Sequence, residues 1–264
     1  MILYMPSRVP AASIVVPTYR EAANIQPLVE RVFAAARGAD IDAEMIIVDD
    51  DSRDGTAEIV ERLQSEYPVR LVTRRNARGL ASAVLEGFTH ARSDRFLVLD
   101  ADLQHPPEMI PAVLQGLGRN DCEFVMATRY DPKSWIEGSW PISRRLASRC
   151  AKFLARPLVA VSDPMSGFFA LRRPVWERAS RLDPIGYKIA LELLVKGNCK
   201  RVAEIPIRFA DRHAGQSKAG GVELVRYLRH LARLYRFRFP WGITTAIVLL
   251  FFLGIVCVVF FPGR

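Results

Sequence analysis

Phe96-Leu97-Val98-Leu99-Asp100-Ala101-Asp102-Leu103-Gln104 is the stretch on which the fold turns. Its first half has the near-continuous hydrophobicity of a parallel strand buried on both faces. Its second half sets two carboxylates and an amide at that strand's mouth. Asp100 and Asp102 are two positions apart, so an extended segment points them to the same side. Hard oxygen ligands at a strand's C-terminal end suit a divalent cation that also carries a diphosphate. Open α/β sheets bind their ligands along that edge. Acidic pairs are common, and most are solvated turns, so the surrounding sequence has to decide.

Upstream, strands and helices alternate. Ser13-Ile14-Val15-Val16-Pro17 reads as a first strand stopped by proline. Asn24 to Arg37 has helical spacing at Ile25, Leu28, Val29, Val32 and Phe33. Glu44 to Asp50 is a second buried strand, Ser52 to Thr56 a turn and helix start, and Thr56 to Glu66 an amphipathic helix. Val69 to Thr73 is a short strand, Gly79 to Ala91 a helix, and Phe96 to Leu99 the fourth strand. This alternation predicts βαβ units and a Rossmann-like α/β domain with a mainly parallel sheet and flanking helices. Right-handed crossovers bring every strand's C-terminal end to one edge. Tyr19/Glu21, Asp49/Asp50 and Asp100/Asp102 then meet there. A solvated loop explains any one of these clusters; a binding site better explains all three.

Downstream, Glu123 to Ala127 is another strand, followed by a polar, Trp-containing loop from Asp131 to Pro141. Arg144 to Ala160 reads as a helix with Arg144, Arg145, Arg149, Lys152 and Arg156 on one side, and Leu146, Cys150, Phe153 and Leu154 on the other. Leu224 to Phe237 repeats the design, with Arg226, Arg229, Arg233 and Arg236 on one face and Leu224, Leu228, Leu231 and Tyr235 on another. Either could be an ordinary solvated surface helix. The second precedes a long apolar run and reads as interfacial, drawn to anionic headgroups by about 1 kcal/mol per basic residue.

The 264 residues carry a formal charge of +9. From Arg129 to Arg156 there are seven Lys/Arg against two Asp/Glu, and from Val222 to Pro240 five Arg against one Glu. Those two stretches account for the whole excess, which points to an anionic surface or ligand. Cys122, Cys150, Cys199 and Cys257 form no CxxC pair, so neither a disulfide framework nor a zinc site is supported, as in a reducing compartment. Met1 to Val16 has no long apolar core, and the start is expected to stay cytosolic. Trp241 to Phe261 is twenty-one residues without a charge, about 31 Å as a helix at ~1.5 Å per residue. It is expected to be one transmembrane helix. The arginines before it place the large N-terminal part on the cytoplasmic face of the membrane, as a single-pass protein.

Three segments then carry a specific resemblance: Val16-Pro17-Thr18-Tyr19-Arg20-Glu21, Ile47 to Thr56, and Asp100 to Pro106. They resemble the leading signatures of the family 2 glycosyltransferases of GT-A fold. Asp100 to Glu108, Ala127 to Tyr130, Asp163 to Phe168 and Arg212 to Lys218 are similar, more narrowly, to the dolichyl/polyprenyl-phosphate mannosyltransferase branch. The resemblance runs from about residue 13 to about residue 235. Together with the arginine-rich helix and the uncharged run behind it, this divides the chain into an expected catalytic domain over 1–220, an amphipathic juxtamembrane helix over 221–240 and the membrane helix over 241–261.

By that resemblance, Pro17, Tyr19, Glu21, Val48 and Asp50 line the nucleobase and ribose pocket. Asp100, Asp102 and Gln104 form the shell of Mg²⁺ or Mn²⁺, with Ala101 allowing close backbone approach. Arg212 and Lys218 belong to a loop that closes on the nucleotide diphosphate, and Arg129, Arg144 and Ser148 hold the lipid acceptor's phosphate. Asp102 and Arg129 take the catalytic assignment, and Arg129 also borders the nucleotide sugar. The implied partners are a nucleotide sugar, GDP-mannose first, polyprenyl phosphate and the membrane, with no nucleic acid. The implied reaction is an inverting transfer of mannose to give a β-linked lipid phosphosugar. A glucosyl or amino-sugar transferase on the same lipid remains open. A catalytically silent membrane scaffold is disfavoured by intact Asp100, Asp102, Gln104, Arg212 and Lys218. The Gln-x-x-Arg-Trp signature of polysaccharide synthases is absent, as are GxGxxG and the P-loop pattern.

Overall fold

The computed structural model of the chain describes residues 9–119, 121–129, 135–136, 151–179, 181–183, 185–186, 188–209 and 221–242. Strands β1 (Ala12–Thr18), β2 (Ala43–Asp49), β3 (Val69–Thr73) and β4 (Arg95–Val98) alternate with helices α1 (Ala22–Gly38), α2 (Thr56–Leu63) and α3 (Leu80–His90). Then come a short 3-10 turn (Pro107–Met109), α4 (Ile110–Gly116), β5 (Phe124–Thr128) and β6 (Trp135–Ile136). Next are β7 (Phe169–Arg172), α5 (Arg173–Arg178), α6 (Ile189–Lys196), β8 (Val202–Pro206), β9 (Arg208–Phe209) and α7 (Gly221–Arg238). The main sheet has the order β3-β2-β1-β4-β7-β5-β8, and β6 pairs with β9 separately. Within the main sheet β7 alone runs antiparallel to its neighbours.

Every residue of β1 and β2 is buried, because helices cover both faces of the sheet. Ile14, Val16, Met45 and Ile47 meet Ile25, Leu28 and Val32 of α1 on one face. Val15, Ile46 and Val48 meet Val84 and Phe88 of α3 on the other. Burial of side chains this large stabilises by about 1.5–3 kcal/mol each. Gly87 lets α3 lie close: a Cβ there would sit 2.3 Å from Val15 Cγ1. A third cluster joins Tyr227, Leu231 and Leu234 of α7 to Leu191 and Val195 of α6 and to Ala155 and Leu158.

Two helix readings are corrected. Where residues 144–160 were expected to be helical, the described part is helical only over 151–155. Pro157 follows, and proline disfavours helical geometry at the residue before it. Phe153 and Leu154 are exposed, whereas Ala155 and Leu158 are buried. In α7 the buried face is Tyr227, His230, Leu231 and Leu234, and Leu228 faces outward. The partner surface on α6 decides which stripe turns inward, and the wheel alone could not. Among the described residues no helix is long and apolar enough to cross a membrane. Of the expected span only Trp241 and Gly242 lie within them.

Candidate active site

The strand order reverses between β1 and β4, so the loops after their C-terminal ends border a crevice. The sequence-predicted clusters at residues 19–21, 49–50 and 100–102 do share that edge. Asp49 is a joint in the wall. It accepts hydrogen bonds from the Ser52 N–H at 2.9 Å, the Ser52 hydroxyl and the Thr18 hydroxyl. Ser52 Oγ in turn accepts the Arg20 N–H at 2.7 Å. Just before Gly55, the N-cap of α2, Asp54 accepts the Thr56 N–H at 3.1 Å and the Thr56 hydroxyl at 2.7 Å, and it receives the Ala22 N–H at 3.2 Å. Burial alone would raise the Asp54 pKa, but those donors outweigh it and hold the carboxyl below its usual range. Arg20, Asp51, Arg53 and Leu103 all take left-handed backbone conformations on this edge. Such strain is concentrated at functional loops.

Pro17 and Val48 are buried register partners on β1 and β2 and form the floor. Asp50 stands beside them with both oxygens engaged. Its Oδ1 accepts Arg74 Nε at 2.8 Å together with Nη2, and its Oδ2 accepts the Gly79 N–H at 2.7 Å. Arg74 also donates to Ser82 Oγ and to the Gly79 carbonyl. Gly79 has φ +128°, a conformation that favours glycine. Asp50 therefore shapes the loop after β3. Sequence reasoning missed Arg74 and Gly79; the one signal was the basic, glycine-ended run Arg74-Arg75-Asn76-Ala77-Arg78-Gly79 behind a strand. The Tyr19 ring lies under Arg20 and Arg78, with guanidinium carbons 5.3 and 5.2 Å from its centroid. Glu21 accepts Asn24 Nδ2 at 2.7 Å at the head of α1.

The Asp100–Gln104 segment departs from the extended geometry expected of it. β4 ends at Val98, and residues 101–103 turn, with Leu103 at φ +61° and Asp102 Oδ1 accepting the Gln104 N–H at 3.2 Å. Strand alternation thus does not set the two side chains; the turn does. Asp102 is buried, and the Asp100 side chain is 31 % exposed. Gly167 makes room for it, since a Cβ on that glycine would come within 2.7 Å of Asp100 Oδ2. His105 is packed between Phe168 and Phe209 with Nδ1 3.5 Å from Asp100 Oδ2. Burial pushes its pKa down to about 4, so the ring is neutral near pH 7.

Arg129 is clamped by Asp163, with Nε to Oδ2 at 2.7 Å and Nη2 to Oδ1 at 3.0 Å. Asp163 is fully buried, and the guanidinium lies 5.0 Å over the Phe209 ring. Phe209 also touches His105, so Arg129 and the aspartate turn share one aromatic support. Asp163 is the functional neighbour that charge patterning did not reveal. Among the described residues no three His, Cys, Asp or Glu cluster as a metal site. The candidate cation ligands are the two aspartates and the Gln104 amide. Arg144, Ser148, Arg212 and Lys218 lie outside the described residues.

Residues 13–178 match the model of glycosyl transferase family 2. The chain is a family 2 glycosyltransferase. The transferase is 45 % identical over 241 residues to a dolichol-phosphate mannosyltransferase of Mycosarcoma maydis, covering 88 % of this chain and 82 % of that one. It is 43 % identical over 236 residues to the dolichol-phosphate mannosyltransferase of Saccharomyces cerevisiae, with 86 % and 88 % covered. A Pyrococcus furiosus relative with that name is 42 % identical over 228 residues, which span 85 % of this chain and 63 % of that one. Among solved structures, Mycobacterium tuberculosis glucosyl-3-phosphoglycerate synthase superposes with a TM-score of 0.62 at 18 % identity, over 87 % of this chain and 80 % of that one. That likeness shows the shared mixed α/β fold.

Proposed function

We propose that this glycosyltransferase moves mannose from GDP-mannose onto polyprenyl phosphate with inversion, giving a β-linked lipid phosphosugar. One observation carries the reading. The Asp100–Gln104 turn, Gly167 and the Asp163-clamped Arg129 meet at the crevice of a chain 42–45 % identical to dolichol-phosphate mannosyltransferases. Pro17, Tyr19, Glu21, Val48 and Asp50 border the nucleoside, with Arg74 and Gly79 holding Asp50 in place.

Asp100, Asp102 and Gln104 fit Mg²⁺ or Mn²⁺, because their donors are hard oxygens and Gly167 leaves the space the Asp100 carboxylate needs. Held by these residues, such a cation would supply positive charge to offset that of the departing nucleoside diphosphate. Gly167 holds the Asp100 position by having no Cβ, and Phe209 supports Arg129 from below. Arg129 is assigned to an anionic phosphate oxygen, which a guanidinium recognises. Arg144 and Ser148 are assigned to the acceptor phosphate, and Arg212 and Lys218 to closure over the donor. A phosphate monoester is already anionic at neutral pH and attacks the anomeric carbon directly. No protein general base is therefore assigned, and direct displacement accounts for inversion.

The organisation into catalytic domain 1–220, interfacial helix 221–240 and membrane span 241–261 belongs to the same reading. Val225, Leu228, Phe239 and Trp241 are exposed beside arginines, and Phe153 and Leu154 are exposed nearby in the packing. This supports seating on a bilayer. The test is incubation of membranes carrying the enzyme with labelled nucleotide sugars and polyprenyl phosphate, followed by lipid extraction. Label from GDP-mannose supports the reading. Transfer from UDP-glucose alone overturns the donor, and no transfer from any sugar overturns the enzyme assignment.

A further inference from the structure

Between α6, α7 and Arg181, Asp183 and Ile185 lies a cavity of about 300 Å³ that shares no lining residue with the donor site. Its lining carries Arg181, Lys196, Arg233 and Arg236 against Asp183 and Glu192. Four of those charges cancel in pairs: Arg233 with Asp183, and Lys196 with Glu192 at 2.5 Å. Lys196 also donates to the Arg181 carbonyl and lies over the Phe237 ring. Arg181 and Arg236 make no ion pair among the described residues, so the mouth keeps two uncompensated guanidinium groups.

The floor is apolar at Ile185 and Leu234 and polar at His230 and Glu192. His230 Nδ1 lies 3.3 Å from the Ile185 carbonyl, and its Nε2 faces Glu192 Oε2 across 4.0 Å. Those last two atoms are fully buried without a hydrogen-bond partner. Each such atom carries a desolvation cost of about 1–3 kcal/mol. An occupant that brings an acidic P–OH or a hydroxyl relieves that cost, while its anionic oxygens meet the two arginines.

We propose that this pocket binds the phosphate group of a second, non-reacting ligand, a negatively charged phosphate ester distinct from donor and acceptor. A lipid headgroup and a soluble phosphate ester share that chemistry. The exposed Phe237, Phe239 and Trp241 on the same end of α7 are the natural neighbours of an acyl chain. The site does not depend on which sugar or lipid reacts.

The test compares three full-length proteins: unaltered, R181A/R236A, and R229A/R238A, which removes the same charge from outside the pocket. Each is melted in detergent in inorganic phosphate and in chloride at equal ionic strength. Each is also floated with phosphatidylcholine vesicles with and without phosphatidic acid. R181A/R236A is expected to lose most of the phosphate-specific rise in melting temperature that the control keeps. It is also expected to bind phosphatidic acid vesicles about tenfold more weakly than the control. A difference only in melting assigns a soluble phosphate ester, and a difference only in flotation assigns a headgroup. Equal behaviour of the two double variants in both assays overturns the site.

Discussion

The Asp100 carboxylate occupies space that any side chain at residue 167 would claim. A Cβ on Gly167 would lie 2.7 Å from Asp100 Oδ2, so Gly167→Ala must displace it. The expected outcome is a folded protein whose transfer rate falls about a hundredfold, the usual cost of an ångström-scale misplacement. A circular dichroism spectrum and a divalent-metal titration of activity check it, the half-saturating metal concentration rising. Asp163 acts through Arg129. Asp163→Ala leaves a largely buried guanidinium uncompensated, and the expected loss is about 3–5 kcal/mol in denaturant unfolding. The Asp100/Asp102/Gln104 group was legible as residues, because its spacing and its strand stand in the sequence. Gly167, Asp163 and Phe209 were not legible in that role, since they reach their partners from more than thirty positions away.

The alternation of β1–α1–β2–α2–β3–α3–β4 could be read from periodicity, because strands buried on both faces and amphipathic helices leave different patterns. β7 could not, for its antiparallel place between β4 and β5 depends on a long return of the chain. The inner face of α7 was likewise hidden: it carries apolar residues on two sides, and only contact with α6 selects one. Helix-to-sheet approach gives a prediction on this scale. Gly87→Ala puts a methyl group 2.3 Å from Val15 Cγ1, so α3 must shift. A stability loss of about 1–3 kcal/mol is expected, read as a lower denaturant midpoint with unchanged donor KM. Asp54→Ala removes the hydrogen bonds to Thr56 and Ala22 ahead of α2 and is expected to cost about 1 kcal/mol in the same assay.

Acid stability belongs to the whole molecule, since Glu44 ties the far edge of the sheet together. Its buried carboxylate accepts from Ser13, the Arg92 backbone and side chain, and Arg70, linking β1, β2, β3 and the segment before β4. Burial alone would raise its pKa, but these partners outweigh it and hold it below the ordinary 4.5. A depressed folded value stabilises the protein above the unfolded value, and that stabilisation fades as pH falls through the folded one. Unfolding midpoints are therefore expected to drop below about pH 4.5, and Glu44→Gln is expected to flatten that dependence. By itself the sequence determined the βαβ order, the edge where the acidic clusters gather and the family signatures, because local periodicity and short motifs are written in neighbouring residues. Only the tertiary structure decided that the Asp100–Asp102 pair sits on a turn, that Arg74 and Asp163 hold Asp50 and Arg129, and which face of α7 is inside. Those outcomes depend on packing between distant segments, where a missing Cβ or a buried charge partner outweighs local preference.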